Sequence, residues 1–233
     1  MSYVEQLVDS PLVACTWEQV VEAGREQRIV PDACVDLVWS GERLVVAGPD
    51  TRARVVSLAP GSRVVGARLR PGVAGAALGL PASELRDCSP DAADVLGRDV
   101  VVALQERLAA GADPHALLLR ALALRGVRAP DPLVGAAVVA LGRPHARVSA
   151  VAAELGVSAR QLQRRVGDAV GYGPKTLARV LRFRRLQQLP AAPLAELALV
   201  AGYADQAHMT AEVTNLAGLP PVRFLKDRMP TAA

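Results

Sequence analysis

Four polar side chains in the last third of the chain have the chemistry to recognise nucleic acid. They are Arg160, Gln161, Gln163 and Arg164. A guanidinium group can donate paired hydrogen bonds to guanine or to a phosphate, and a Gln amide can pair with an adenine edge. Apolar residues recur among these four at the spacing of one helix face, which leaves the polar residues on the outward face. We therefore predict a helix whose exposed surface can contact bases and phosphates.

The residues before this helix predict how it is positioned. Positions 148, 151, 152 and 155 are apolar and form one face of a preceding helix. Gly156 supplies the backbone freedom for a tight turn. Ser158 is a good N-cap for the next helix, and Gln161 three residues later completes a capping box. Helix, tight turn and second helix together predict a helix-turn-helix unit.

The same pattern occurs a second time, 46 or 47 residues further along the chain. Asp205 stands where Ser158 stands in the first copy and would cap the second helix of the repeat. The outward residues of that helix would be Gln206, His208, Thr210 and Glu212, of which the first three are the candidates for base contacts. An ordinary helical hairpin could explain either copy alone. Two copies with matched caps, turns, core positions and Gly-x-x-Pro endings favour a pair of reading helices.

A long helix is predicted between the two units, over residues 175–189. It would act as a rigid spacer that fixes the distance between the two reading helices. Arg179 and Arg182 lie on this stretch, and Arg223 follows the second unit. These three arginines are expected to contact phosphates or, alternatively, to hold the domain together.

Residues 130–228 resemble the DNA-binding domain of the AraC/XylS family of transcription regulators. In that family the second helix of each unit runs cap, three residues, an apolar residue, x, Arg, x, Phe, four residues, Gly, x, x, Pro. The segment Gly202-Tyr203-Ala204-Asp205 matches the residues that typically introduce the second copy. The resemblance implies a sequence-specific regulator of transcription, an activator or a repressor, that reads two neighbouring stretches of duplex DNA.

This chain departs from the family pattern in two respects. Val166 and Val213 occupy the two Phe positions, and Ala211 occupies the second Arg position. Loss of that Arg removes an expected polar contact. We therefore expect the first unit to define its DNA box better than the second.

The N-terminal part resembles one AraC-type subgroup with a small β-rich sensory domain. The resemblance rests on residues 31–39, 47–51 and 66–72. It implies that an unidentified small-molecule effector acts on this domain. Charge is also divided between the two halves: residues 133–233 carry 13 Lys and Arg against 6 Asp and Glu, and residues 1–132 carry 14 against 17. The basic excess therefore lies where a polyanion would bind.

The predicted fold class is α+β, in three parts. Strands at 12–20, 34–39, 43–48, 54–58 and 63–69 indicate a small antiparallel β-barrel-like domain within residues 1–80, with 54–69 as a hairpin. Helices at 92–110 and 113–126 form a helical connector over residues 81–129. Residues 130–233 form an all-α domain with two helix-turn-helix units joined by a long helix.

The N-terminal domain shows little sign of catalytic chemistry. None of the three His residues falls in a predicted strand, so we expect no metal, no cofactor and no catalytic residue. Asp32 and Asp36 could form a carboxylate pair, or they could cap a turn and a strand end. Cys34 is a candidate redox or alkylation sensor, or else a small buried residue. The alternative function is a β-domain enzyme or small-molecule binding protein whose helical appendage is not used on DNA.

The expected partners are double-stranded DNA and the unidentified effector, with RNA polymerase and a second copy of the chain as candidates. The helices at 92–126 are more apolar than one buried stripe requires, so they either form a dimer interface or cover the sheet. No apolar run approaches the ~18 residues of a membrane span. Three Cys without metal-type spacing indicate a reducing compartment. We therefore expect a cytoplasmic protein with no membrane contact.

Overall fold

The N-terminal domain is built from antiparallel strands, as predicted. A computed structural model describes residues 2–125 and 128–226. Within these residues the strands are β1 (Ser2–Leu7), β2 (Val13–Val20), β3 (Arg25–Ile29), β4 (Asp36–Trp39), β5 (Leu44–Ala47), β6 (Arg54–Leu58) and β7 (Arg63–Leu69). Five of them form a sheet in the order β1-β2-β7-β4-β5, and β3 pairs with β6 in a separate two-stranded ladder.

The predicted hairpin over residues 54–69 is wrong. β6 pairs with β3, whereas β7 lies between β2 and β4 in the larger sheet. Both strands do occur where the alternation predicted them, so the error concerns their partners. Of the two unpredicted strands, β1 and β3, the second explains it: β3 is polar and rich in charge, yet it supplies the edge with which β6 pairs.

Helices that follow the sheet pack against it. They are α1 (Ala74–Leu78), a short 3₁₀ helix (Ala82–Leu85), α2 (Ala92–Leu96), α3 (Arg98–Ala109) and α4 (Pro114–Arg125). Leu104, Leu118 and Leu122 share one hydrophobic core with Leu37 and Leu69 of the sheet. The predicted connector is therefore continuous with the N-terminal core and is not a separate layer.

The helix predicted over 92–110 is two helices. Gly97 divides α2 from α3, and its φ of +94° lies in the left-handed region that favours glycine. The predicted end of the following helix, at residue 126, lies outside the described residues. In the part of the chain that is described, no helix is both long enough and apolar enough to cross a membrane.

The C-terminal domain is all helical, as predicted. Its helices are α5 (Pro132–Leu141), α6 (Val148–Glu154), α7 (Ala159–Val170), α8 (Pro174–Gln188), α9 (Leu194–Ala201), α10 (Gln206–Ala217) and α11 (Pro221–Lys226). Leu162, Val166, Phe183, Met209 and Val213 are fully buried in one core. Each such side chain contributes roughly 1.5–3 kcal/mol when it leaves water. α6–α7 and α9–α10 are the two helix-turn-helix units, and α8 joins them.

Candidate nucleic-acid interface

The N-terminus of α7 is fixed by the predicted capping box. The Ser158 hydroxyl oxygen accepts a hydrogen bond from the Gln161 backbone N–H at 3.2 Å, and Gln161 Oε1 accepts one from the Ser158 N–H at 2.9 Å. Gln161 Oε1 is therefore occupied by the cap. Only the amide nitrogen of Gln161 remains to donate to DNA, so this residue cannot form the two-bond pair with adenine that a free Gln forms.

The outer face of α7 presents the other three predicted residues to solvent. Arg160, Gln163 and Arg164 are exposed, while Leu162 and Val166 on the opposite face are completely buried. Within the described ranges, neither arginine pairs with an acidic side chain. Both guanidinium groups can therefore contact bases or phosphates.

Gly173 makes room for the Gln163 side chain. A Cβ atom at position 173 would lie 2.2 Å from Gln163 Nε2. The amide of Gln163 therefore extends toward the start of α8 in the absence of DNA. It can leave this position without breaking a buried contact, because it is exposed to solvent.

Arg165, the neighbour of these residues, has a different role. Its Nε and Nη2 donate to both carboxylate oxygens of Asp131 at 2.6 Å each. The hydrogen-bonded Arg165 guanidinium holds the pKa of Asp131 below its usual value. Asp131 also caps the N-terminus of α5 through the Leu133 N–H at 3.0 Å. This bidentate pair ties α7 to α5 and supports the orientation of the reading helix.

The second unit uses two of its predicted residues to build its own turn. Asp205 accepts a hydrogen bond from the His208 N–H at 2.7 Å, which confirms the predicted cap. His208 Nδ1 accepts from the Ala204 N–H at 3.2 Å, and its ring meets Tyr203 edge-on, with centroids 5.5 Å apart. The Thr210 hydroxyl donates to the Gln206 carbonyl at 2.8 Å. His208 Nε2 and the Gln206 side chain are what remain for DNA.

The exposed face of α10 is weaker in charge than that of α7. A shallow open surface is lined by Gln206, Ala207, Thr210, Ala211, Thr214 and Asn215. Asn215 was not predicted, although it lies four residues after Ala211 and thus on the same helix face. Its amide can pair with adenine. In this unit, therefore, Ala207 and Ala211 occupy the positions of Arg160 and Arg164, and the face carries amides in place of charged groups.

The arginines of α8 hold the second unit in place. Arg179 Nε donates to Glu212 Oε2 of α10 at 2.7 Å, and both side chains are partly buried. The Arg182 guanidinium carbon lies 5.3 Å from the centre of the Tyr203 ring, within cation–π range. Arg185 Nη1 donates to the Ala201 carbonyl at the end of α9 at 3.3 Å. These contacts favour the structural role for Arg179 and Arg182 over phosphate binding, while Arg223 is exposed.

In the N-terminal domain, Asp32 and Asp36 face one arginine. Arg68 donates to Asp36 from Nε at 3.2 Å and from Nη2 at 3.3 Å, and its Nε lies 3.6 Å from Asp32 Oδ2. Glu5 of β1 also accepts from Arg68 Nη1, at 3.3 Å. The indole N–H of Trp17 is buried beside this cluster and faces the Asp36 carboxylate. Sequence reasoning missed Arg68 and Glu5 because they come together only across the sheet.

Cys34 has the environment of a core residue. It is 6% exposed, and its thiol lies 3.7 Å from the Asp32 carbonyl oxygen. Burial raises the pKa of the Cys34 thiol far above its usual value, which disfavours the reactive thiolate. Asp32 Oδ1 accepts from the Cys34 N–H at 2.9 Å, which is the capped turn that we considered as the alternative. Among residues 2–125 and 128–226, no group of three His, Cys, Asp or Glu side chains is arranged to hold a metal ion.

Comparisons with known proteins find similarity in two separate parts of the chain. Residues 151–227 match the family described as "Helix-turn-helix domain", and residues 10–91 match "Domain of unknown function (DUF6597)". No curated protein matches the sequence.

Solved structures that are similar to this chain include those of two bacterial proteins. The C-terminal domain of AraT, a response regulator from Geobacillus stearothermophilus, is 22% identical with a TM-score of 0.40. The match covers 43% of this chain and 89% of the AraT chain. A lysine-to-alanine variant of apo ToxT from Vibrio cholerae strain SCE256 is 9% identical with a TM-score of 0.47, and the match covers 95% of this chain and 99% of the ToxT chain. ToxT of the same strain bound to an unsaturated fatty acid is 10% identical with a TM-score of 0.44, and covers 100% and 98%.

Two capped helix-turn-helix units joined by one helix coincide with the matched helix-turn-helix domain. Exposed arginines and amides lie on the outer faces of their second helices. The chain therefore carries a helix-turn-helix domain over residues 151–227, which supports a role as a DNA-binding transcription regulator.

Proposed function

We propose that this protein is a sequence-specific regulator that reads two DNA boxes, one with α7 and one with α10. One observation carries the proposal: each of these helices buries one face completely and leaves a polar face in solvent. Two reading helices held by one rigid helix would enter successive major grooves, about one helical turn apart on the same face of the duplex.

The first box should be the better defined of the two. Arg160 and Arg164 of α7 are unpaired cations within the described residues, whereas Ala211 of α10 stands where an arginine would be expected. A bidentate Arg–guanine pair discriminates by about 1–3 kcal/mol against a wrong base. α10 has amides and a hydroxyl on this face, so its discrimination rests on fewer and weaker contacts.

Selection of bound duplexes from a random DNA pool by the full chain tests the proposal. With the wild type, we expect two enriched boxes. With Gln163→Ala, the sharper box should lose its base preference at one or two positions. Arg43→Ala is the control, because Arg43 is exposed at the turn between β4 and β5 and, within the described residues, its side chain has no hydrogen bond or ion pair with either reading helix. No enrichment, a footprint confined to one groove segment, or a sharper second box would contradict the proposal.

We further propose that an effector acts on the N-terminal domain at the cluster around Arg68. The partly buried Arg68 guanidinium is flanked by Glu5, Asp32 and Asp36, and the indole of Trp17 lies beside Asp36, so the cluster offers donors and acceptors to a small polar molecule. The chain contains two Trp, so Trp39→Phe leaves Trp17 as the sole indole reporter. Pools of sugars, amino acids and organic acids are then screened by Trp17 fluorescence, with DNA affinity as the second readout. No compound that changes both signals would contradict this proposal.

A second copy of the chain is proposed to bind at the outer groove between α3 and α4. Its lining includes the exposed side chains of Val100 and Leu124, which are 47% and 75% accessible. The inner residues of the same helices cover the sheet, so the covering role that we considered does not account for this apolar outer surface. Sedimentation equilibrium of the wild type and of Leu124→Glu tests the proposal. A wild-type protein that stays monomeric at micromolar concentration would contradict it.

A further inference from the structure

The two-stranded ladder of the N-terminal domain touches the carboxyl end of the second recognition helix. The Ala53 N–H, directly before β6, donates to the Leu216 carbonyl of α10 at 2.7 Å. Arg28 of β3 donates from Nη1 to the Ala217 carbonyl at 3.1 Å. A Cβ atom at Gly218 would lie 3.2 Å from the same guanidinium nitrogen. Two successive carbonyls of α10 are thus bonded by residues more than 150 positions away in the sequence.

These carbonyls need a partner from outside the helix. The last four C=O groups of an α-helix have no intrahelical donor, and they carry the negative end of the helix dipole. Leu216 and Ala217 are buried, with 1% and 0% of their surface accessible. A buried carbonyl without a partner is costly, and a guanidinium at this end of a helix is favourable. The N-terminal domain therefore supplies what the end of α10 lacks.

Arg28 and Ala53 belong to one structural block. Arg28 pairs with Val55 and Ile29 pairs with Arg54 in the β3–β6 register, so Ala53 and Arg28 lie at the same end of the ladder. Gln27 on the same strand is held to Gln19 of the larger sheet by a side-chain hydrogen bond of 2.5 Å. The donors that meet α10 are thus fixed to the body of the N-terminal domain.

The first recognition helix ends on the same domain. A Cβ atom at Gly75 of α1 would lie 2.6 Å from the Asp168 carbonyl oxygen of α7. Gly171, the residue that ends α7, approaches the 3₁₀ helix so closely that a Cβ atom there would be 2.9 Å from the Ala82 carbonyl oxygen. The spacer is attached as well, since Arg184 of α8 donates to the Asp32 carbonyl at 3.0 Å.

We infer that the N-terminal domain sets the relative position of the two recognition helices, with Arg28 as the positioning residue for α10. This inference rests on the proposed reading of DNA by α7 and α10. α8 holds both units from within the C-terminal domain, and the β3–β6 ladder is a second, independent support at the far end of α10. A rigid distance between the two helices restricts the protein to DNA whose boxes have the matching separation.

Amide hydrogen exchange of the full chain without DNA tests the support itself. In Arg28→Ala, exchange of residues 206–217 should accelerate about three- to tenfold, the effect of losing one hydrogen bond from a charged donor near solvent. Exchange of residues 159–170 should change less than twofold. Arg28→Lys can still donate to the Ala217 carbonyl and should restore most of the protection. Arg43→Ala should behave as the wild type.

Two results of this experiment would overturn the inference. One is unchanged exchange of residues 206–217 in Arg28→Ala. The other is an equal acceleration in α7 and α10, which would indicate a general loss of stability instead of a local loosening. Thermal unfolding of each variant shows whether such a general loss of stability has occurred.

DNA binding supplies the functional readout. Three duplexes are compared: the selected two-box duplex, the same duplex with the second box scrambled, and one with a single base pair inserted between the boxes. Arg28→Ala should bind the first about threefold or more weakly and the second as the wild type does. It should also lose less affinity than the wild type on insertion of the base pair, because α10 is less constrained. Equal losses on all three duplexes would overturn the inference. If the wild-type protein binds none of them, the proposed function fails, whereas hydrogen exchange still decides whether Arg28 positions α10.

Discussion

Replacing Arg179 with alanine should loosen the second helix-turn-helix unit without changing how DNA binding depends on salt. Arg179 Nε and Glu212 Oε2 are 2.7 Å apart, and the two side chains are 28% and 18% accessible. The paired Glu212 carboxylate neutralises this guanidinium and holds its Nε, which disfavours binding of a phosphate there. The position on the spacer helix suggested a phosphate contact, and the geometry predicts the opposite result for the salt dependence.

The expected loss of stability follows from the degree of burial. A hydrogen bond to a charged group contributes about 1.5–3 kcal/mol, and an exposed ion pair contributes about 0–1 kcal/mol. The pair lies between these cases, so Arg179→Ala should lower the free energy of unfolding by about 1–2 kcal/mol. Glu212→Ala should cost a similar amount. The double variant should lose less free energy of unfolding than the two single variants lose together. The difference, which is the coupling energy of the pair, should be about 1 kcal/mol.

Salt dependence separates positioning from phosphate binding. Each phosphate contact changes the slope of log affinity against log salt by about 0.9, which amounts to roughly a 3.5-fold change between 50 and 200 mM salt. Arg164→Ala should lose this amount, because Arg164 is exposed and unpaired within the described residues. Arg179→Ala should keep the wild-type slope while it binds the two-box duplex more weakly.

Fluorescence anisotropy at four salt concentrations, on the selected duplex and on a random one, measures the slopes. Urea unfolding at each concentration of salt measures the stability. A slope reduced by about one in Arg179→Ala, with unchanged stability, would refute the reasoning. It would mean that Arg179 exchanges Glu212 for a phosphate when DNA binds.

Three further changes test the elements that carry the site. Ser158→Ala removes the cap of the first recognition helix and should lower the free energy of unfolding by about 1 kcal/mol in urea titrations; no loss would mean that the capping box is not needed. Gly66→Ala would place a Cβ atom 2.2 Å from the Trp17 ring, so its melting temperature should fall and the fluorescence of Trp17 should shift, and a native-like spectrum would contradict the close contact. The Arg63 guanidinium lowers the pKa of Glu18 from 4.5 to about 2, so the wild type should lose stability as the pH falls from 4.5 toward 2. Glu18→Gln should weaken this dependence of the free energy of unfolding on pH. An equal dependence in both proteins would show that the pair does not contribute.

The sequence alone determined the elements of the C-terminal domain because the signals that define them act over a few residues. Ser158 and Asp205 cap the helices that were predicted to follow them, and Gly202 has the left-handed backbone expected of a turn residue. The repeat of these signals also indicated two similar units. Hydrophobic periodicity identified the buried face of the recognition helices, because their apolar residues repeat at the helical period.

Tertiary structure decided which partner each element meets. Alternation located β6 and β7 but not their neighbours, because strand pairing depends on which edge is open, and the open edge belonged to the polar strand β3. The same holds for long polar side chains. The sequence shows that Arg179 is a cation on a helix, whereas only folding brings Glu212 within 2.7 Å of it.

The contacts between the two domains were beyond the reach of the sequence for the same physical reason. Arg28 lies on a short charged strand and has no local signal that distinguishes it from other exposed arginines. Its role depends on the Ala217 carbonyl, which lies 189 residues away along the chain but 3.1 Å from Arg28 Nη1 in the folded protein. Caps, turns and helical periods are determined by residues close together in the sequence. Hydrogen bonds across a domain boundary depend on how the surfaces of two folded domains fit together.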